Sequence, residues 1–427
     1  MLGFVQNWFA QPTSTIGVDF GSDSVRAAQV ERVDGEFQLI AAGCVDVPSV
    51  ARNDVAARIK FYAEAIREIL GQSNFQGRRA VLSLPAALMH VQHLRMPKLD
   101  EDATKKALPW ELRGKLPFDP SQAALRHLIA GEIYQDQEPK NEVIVMAARR
   151  DWVDQLLAAA SKARLDVAGM NVEPKAIVDC FSHVYRRKSD AEAVTCYVDI
   201  GSNATRAVIA LGGEIRFARI IPVGGEHFNR AVANDLKIPL EEARVLRVRA
   251  ASQVEETPEK APAVPSELER PAERGSIDNE FALLGNALSA AKKQQTLSEP
   301  GGTAAVATAT PPVSDQKQQF ETACREPIMK IVEELALCRR YYEAAFTNQP
   351  LERLIFVGGE ARQRGICQTI ARELGIAAQI GDPMARMART TTVGIESGID
   401  RRQPQPAWAV AVGLSMGPVG AVKAASK

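Results

Sequence analysis

The chain lacks an excess of charge of either sign: 52 Lys and Arg residues balance 52 Asp and Glu over 427 positions. Without a net field, a polyanion is not expected as the principal partner. The local clusters Arg244, Arg247, Arg249 and Arg401, Arg402 carry no interleaved aromatics, so they read as solvated helix or loop faces and not as nucleic-acid sites. Cysteine is scarce: Cys44, Cys180, Cys196, Cys324, Cys338 and Cys367 show neither close pairing nor metal-ligand spacing, which fits buried thiols in a reducing cytoplasm. His90 and His93 are the one close histidine pair, and in a strand their odd spacing sends them to opposite faces, away from a common metal. The longest uncharged stretch, 404–422, is interrupted by Pro418 and glycines; it falls short of a membrane span and reads as a buried last helix. The first ten residues have no basic n-region, so no signal peptide is expected, although Leu2, Val5, Trp8 and Phe9 share one face of a short helix. No G-x-x-x-x-G-K-[ST] occurs, which sets P-loop chemistry aside.

A repeat is present instead. Val18-Asp19-Phe20-Gly21-Ser22-Asp23-Ser24-Val25-Arg26-Ala27 is matched without a gap by Val198-Asp199-Ile200-Gly201-Ser202-Asn203-Ala204-Thr205-Arg206-Ala207. Each copy closes a β-branched run, and each leads into a hairpin, turning at Asp34-Gly35 in the first and Gly212-Gly213 in the second. Two strand-turn-strand units with the same Asp-x-Gly-Ser turn imply two related lobes facing one ligand.

The chemistry of the turn follows from its residues. A glycine two places after an aspartate lets successive N–H groups converge on phosphate oxygens. Ser22, Ser24, Ser202 and Thr205 add hydroxyls without filling the space. Asp19 and Asp199 would repel phosphate directly, so their expected role is to hold Mg²⁺ through its waters. A single copy is more simply a hairpin turn with an Asx hydrogen bond; two copies in matching strand contexts favour the clamp.

At these residues the chain resembles the actin-like ATPase superfamily, in which two such loops clamp the β- and γ-phosphates of ATP. Four further segments stand in family order: the connecting helix at 172–176, Val223-Gly224-Gly225-Glu226 at a helix start, Leu354-Ile355-Phe356-Val357-Gly358-Gly359-Glu360-Ala361-Arg362 near the adenosine, and the final helix at 407–413. The resemblance implies an α/β fold of two lobes with duplicated ribonuclease-H-like cores, binding ATP and Mg²⁺. It assigns Gly21, Ser22, Asp23, Ser24, Arg26, Gly201, Ser202, Asn203, Thr205, Gly224, Gly225, Glu226, Gly358, Gly359 and Arg362 to the nucleotide, and Asp19 and Asp199 to the metal. Glu173 is the candidate for positioning a water, with at most slow hydrolysis expected. Glu360 stands where a third glycine is common and narrows or re-charges the adenosine pocket; Asn229 stands for a Thr and is expected to cap a helix; Arg26 replaces a Lys with a forked geometry suited to phosphate.

At 46% hydrophobic content the chain has material for two or more domains. The pattern divides it into an N-terminal extension (1–12), a first-lobe core (13–78), an inserted α+β module (79–165), an interlobe helix (166–192), a first part of lobe two (193–250), an Ala/Pro-rich disordered insertion (251–316), a second part of lobe two (317–400) and a C-terminal helix and tail (401–427). Within the insertion Ile277, Phe281, Leu284 and Leu288 have helical spacing. Beyond it, Phe320, Cys324, Ile328, Ile331, Leu335, Cys338 and Tyr342 describe one long amphipathic helix with an expected kink at Pro327.

The module, with Ser83-Leu84-Pro85, Leu94-Arg95-Met96-Pro97, Trp110-Glu111 and Leu116-Pro117-Phe118, resembles that of the cell-division actin homologue FtsA and, more closely, of the PilM proteins of type IV pilus assembly. That resemblance implies a cytoplasmic ATP-binding adaptor of the pilus inner-membrane complex, peripheral to the membrane. Its implied partner is the N-terminal cytoplasmic peptide of a PilN-like protein, held in a groove between the lobe-one core and the module. Self-association is compatible with it. The alternatives are a superfamily ATPase or small-molecule kinase, and an FtsA-like filament former.

Overall fold

A computed structural model describes residues 14–135, 138–253, 319–388 and 393–417. The expected N-terminal extension and the helical island at Ile277 to Leu288 lie outside the described residues.

The first strands run β1 (Ile16–Phe20), β2 (Ser24–Val33) and β3 (Glu36–Asp46), an antiparallel meander whose β2–β3 turn is Asp34-Gly35 with φ of 52° and 86°. Positive φ at both positions is what a two-residue turn between right-twisted strands requires. β4 (Arg79–Leu84) then pairs parallel with β1, and β8 (Asp166–Val172) parallel with β4, giving the order β3-β2-β1-β4-β8. The second half repeats this: β9 (Val194–Ile200), β10 (Thr205–Leu211), β11 (Glu214–Ile221), β12 (Arg353–Val357) and β13 (Ala377–Ile380) are ordered β11-β10-β9-β12-β13 with the same pairing directions. The duplicated core expected from the paired turns is therefore present as two sheets of one topology. β1 and β9 are buried along their whole length, since each is central in a sheet covered on both faces.

Helices cover the sheets. α1 (Ser49–Arg52) and α2 (Val55–Gln72) follow β3, and Asp54 caps α2 by accepting from the N–H groups of Ala56 and Ala57. The module's strands are β5 (Met89–Pro97), β6 (Ala123–Gln135) and β7 (Glu138–Arg149), ordered β5-β7-β6, with α3 (Glu101–Glu111) packed on them around Leu94, Leu108, Leu112 and Val145. Its limits are narrower than the sequence pattern predicts. Ala80 to Leu82 pair with Ile16 to Val18, so β4 belongs to the first lobe; α4 (Arg150–Lys162) buries Leu156, Ala159 and Ala160 in the same core. An apolar run closed by a single proline, Pro85, does not reveal which sheet receives it.

α5 (Glu173–Phe181) and α6 (Lys188–Glu192) lead to the second lobe, where α7 (Gly225–Leu236) and α8 (Leu240–Gln253) follow the hairpins. α9 (Arg325–Ala345) buries Ile328, Ile331, Leu335, Cys338 and Tyr342, as the spacing predicts. The expected kink corresponds to an interruption of the helical run just before Pro327. The helical run breaks at Cys324 and Pro327 falls in the first turn of α9, where a missing N–H costs no hydrogen bond. α10 (Arg364–Leu374) precedes β13, and α11 (Ala409–Met416) is buried between the first sheet and α5. A Cβ at Gly413 would stand 1.8 Å from the carbonyl oxygen of Ala176, and one at Gly17 2.0 Å from that of Ala411. Glycine at both places is a matter of space. Ser415 fixes the helix on the sheet, donating to the carbonyl of Thr15 at 2.6 Å while accepting from the N–H of Val30 at 2.9 Å. Among the described residues no helix is long and apolar enough to cross a membrane.

Candidate functional site

Both Asp-x-Gly-Ser turns sit at the carboxyl ends of central strands, β1 and β9, and both line one cleft of about 360 Å³ between the lobes. A cavity of this size and position suits a small ligand bound across the ends of parallel strands. The turns are tight for steric reasons. A Cβ on Gly21 would lie 2.6 Å from the carbonyl of Ser24, and one on Gly201 3.0 Å from that of Ala204. The end of β12 also reaches the cleft: Gly358, at φ 89°, passes so near that a Cβ would be 2.3 Å from Asp199 Oδ1.

The register of each hairpin places an arginine directly across from the aspartate, Asp19 opposite Arg26 and Asp199 opposite Arg206. Such cross-strand neighbours share a face of the sheet, here the face toward the cleft. In the second lobe the pair is closed. Arg206 Nε lies 3.0 Å from Asp199 Oδ2 and 2.8 Å from Glu173 Oε2, so one guanidinium joins the lobes through two buried carboxylates. In the first, Asp19 accepts from Ser83 Oγ at 3.3 Å and has no ion-pair partner among the described residues. Burial raises Asp19 to about 6, even though Arg26 and Arg206 draw it down. Burial likewise raises Glu173 to about 8 against the pull of Arg206. Burial works against the charge on Arg206, but Asp199, Glu173 and Asp19 outweigh it and the guanidinium is held more firmly protonated. The residues fit a divalent ion on one side only: Asp19 offers an unpaired carboxylate, whereas Asp199 is already neutralised by Arg206.

The remaining residues divide between lining and support. Gly21, Ser22, Asp23, Ser24, Arg26, Gly201, Ser202, Asn203, Gly358 and Gly359 line the cleft, and Arg362 lines an adjoining compartment of about 400 Å³ that shares Asp23, Arg26, Ser202 and Glu360 with it. Thr205 is fully buried and donates to the carbonyl of Val223 at 2.7 Å, so its hydroxyl is used within the fold. Gly224, Gly225 and Glu226 support the second turn from behind: Gly225 N–H donates to the carbonyl of Gly201 at 2.9 Å and Glu226 N–H to that of Ser202 at 2.8 Å. Asn229 does not cap α7. It lies a full turn inside the helix, and its Oδ1 accepts from Arg247 Nε at 2.9 Å.

Arg247 corrects the sequence reading. It is buried, not a solvated face, and donates to both carboxylate oxygens of Glu360, which lies over Gly225. That wall of the adjoining compartment is therefore a neutralised ion pair and not an isolated negative charge. Arg244, partly covered, reaches Asp23 Oδ2 at 2.7 Å, and Arg52 holds Asp23 Oδ1 at 3.1 Å and Glu241 at 2.9 Å. These contacts bridge the lobes at the cleft mouth. Charge clusters on one helix gave no signal of partners far away in sequence, but Arg206 was visible as the repeat's counterpart of Arg26. Among the described residues no group of three or more His, Cys, Asp or Glu is placed to hold a metal.

The sequence pattern of the family described as Type IV pilus assembly protein PilM matches residues 17–256, more than half of the chain. This chain belongs to that PilM family. The pattern described as cell division protein FtsA matches residues 196–413, the second lobe and last helix. Among solved structures, a PilM-PilN type IV pilus biogenesis complex aligns with a TM-score of 0.68 at 18% identity, covering 95% of this chain and 98% of the other, so the two share a fold. The ethanolamine utilization protein EutJ from Carboxydothermus hydrogenoformans aligns at a TM-score of 0.47 and 12% identity, covering 96% of this chain and 91% of the other. As a PilM-family member, the chain has the actin-like two-lobed fold that the paired turns imply, with the module as its insertion.

Proposed function

We propose that the chain is a nucleotide-binding adaptor of type IV pilus assembly, in which ATP in the interlobe cleft favours one arrangement of the lobes and thereby sets affinity for a partner peptide. The observation that carries this reading is that Gly21 and Gly201, from the two repeated turns, line one cleft together with Ser22, Ser24 and Ser202, the small and hydroxyl-bearing residues a triphosphate needs. Asp19 is the carboxylate offered to Mg²⁺, which would supply charge neutralisation at the phosphates.

The partner proposed is the N-terminal cytoplasmic peptide of a PilN-like membrane protein, which would hold the adaptor at the inner membrane face. A groove of about 240 Å³ between the lobe-one core and the module supports this, lined by Gly169, Met170 and Asn171 of β8 and by Arg126, His127 and Leu128 of β6. β8 and β6 are both edge strands, so an extended peptide there gains main-chain hydrogen bonds. An enzymatic reading is weaker, because phosphoryl transfer needs a positioned base and the Glu173 carboxylate is engaged by Arg206.

Titration of the purified chain with a fluorescent ATP analogue tests the first half: saturable binding is expected, and none would overturn it. A synthetic peptide from the N-terminus of the PilN-like protein, titrated with and without ATP, tests the second: binding that shifts with nucleotide is expected, and no binding would overturn it.

A further inference from the structure

The cleft holds three buried carboxylates, Asp19, Asp199 and Glu173, and two guanidiniums, Arg26 and Arg206. Three acids around the place where phosphates would lie repel a polyanion unless a cation intervenes. Arg206 already stands there, within 3.0 Å of Asp199 and 2.8 Å of Glu173, and its side chain is nearly enclosed at 11% exposure. The hairpin register, Asp199 against Arg206, fixes it in this position from the backbone upward. Arginine keeps its charge and presents several donors in a plane, so it can serve two carboxylates and still offer an N–H to a phosphate oxygen.

We infer that Arg206 is the resident cation of the phosphate end of the cleft, filling at Asp199 and Glu173 the neutralising place of a divalent ion, so that a nucleoside triphosphate binds with little dependence on metal. This rests on the nucleotide reading given above and goes beyond it in assigning the charge-neutralising role to the chain itself. Arg26 stands across from Asp19 in register without closing an ion pair on it, so Asp19 is the one acid left for a metal to engage.

The test titrates the full chain with a fluorescent ATP analogue in Mg²⁺ and in EDTA, comparing the natural chain with R206Q and R206K. The natural chain is expected to bind with the same affinity in both buffers. R206Q, left with unneutralised acids, is expected to lose about tenfold or more in EDTA and to recover in Mg²⁺, whereas R206K retains most of the binding in EDTA. Binding by the natural chain in Mg²⁺ that collapses in EDTA overturns the inference and leaves the nucleotide reading intact. Binding in neither buffer overturns both. Should R206Q fail to fold, the two-buffer comparison on the natural chain decides by itself.

Discussion

The ring of His93 in the module stacks on that of Phe217 in the second lobe, with centroids 4.6 Å apart. Its Nδ1 lies 3.0 Å from Glu142 Oε1 and its Nε2 3.0 Å from the carbonyl of Ala218, while the hydroxyl of Tyr341 donates to Glu142 at 2.7 Å. The module thus rests on the second lobe through a buried polar group, and a shift of that lobe reaches it directly. Tyr341→Phe takes one donor from the fully buried Glu142 and is expected to cost about 1–3 kcal/mol. Urea unfolding should show a lower midpoint at an unchanged slope.

The contact of Asp23 with Arg244 is partly open to water, at 35% and 21% side-chain exposure. Its contribution to global stability is expected to stay below about 1 kcal/mol. Its position across the cleft mouth matters more. Arg244→Ala is expected to leave the unfolding midpoint nearly unchanged while increasing the radius of gyration of the nucleotide-free chain in small-angle scattering.

Burial raises Glu173 to about 8 and Asp19 to about 6, from ordinary values of 4.5 and 3.8. The native state therefore holds protons that the unfolded chain releases, and stability falls as pH rises from the ordinary values through the raised ones. Calorimetry across buffers should show a melting temperature that declines from about pH 4.5 to about pH 8. Glu173→Gln should flatten the upper part of that decline, and a natural chain whose stability rises over the same range would contradict it.

Gly413→Ala drives a methyl group into the backbone carbonyl of Ala176, which cannot turn aside as a flexible side chain can. The expected loss lies at or above the upper end of about 1–3 kcal/mol for overpacked sites. Gly213→Ala, with nothing within 4 Å of the added carbon, is the matched control and should change the melting temperature little.

Much of the fold is legible in the sequence, because two turns of one sequence require two strands of one kind to carry them. The spacing of Ile328, Ile331, Leu335 and Tyr342 likewise fixes the buried face of α9. Periodicity does not tell where an apolar strand inserts, so the pattern places 79–84 with the module although β4 pairs with β1. At the site, the lining residues of both turns were legible from local chemistry, since each turn is made within a few residues of chain. Arg247 was not, because its partner Glu360 is 113 positions away and an arginine on a helix carries no mark of so distant a carboxylate.

The matched registers of the two hairpins give the chain an internal reference. A substitution at Arg26 and the same substitution at Arg206 alter one geometry in two environments, an acid with no ion-pair partner among the described residues in one lobe and, in the other, an acid whose arginine also holds Glu173. Comparing the two measures what the surroundings add to an identical backbone, without recourse to any second protein.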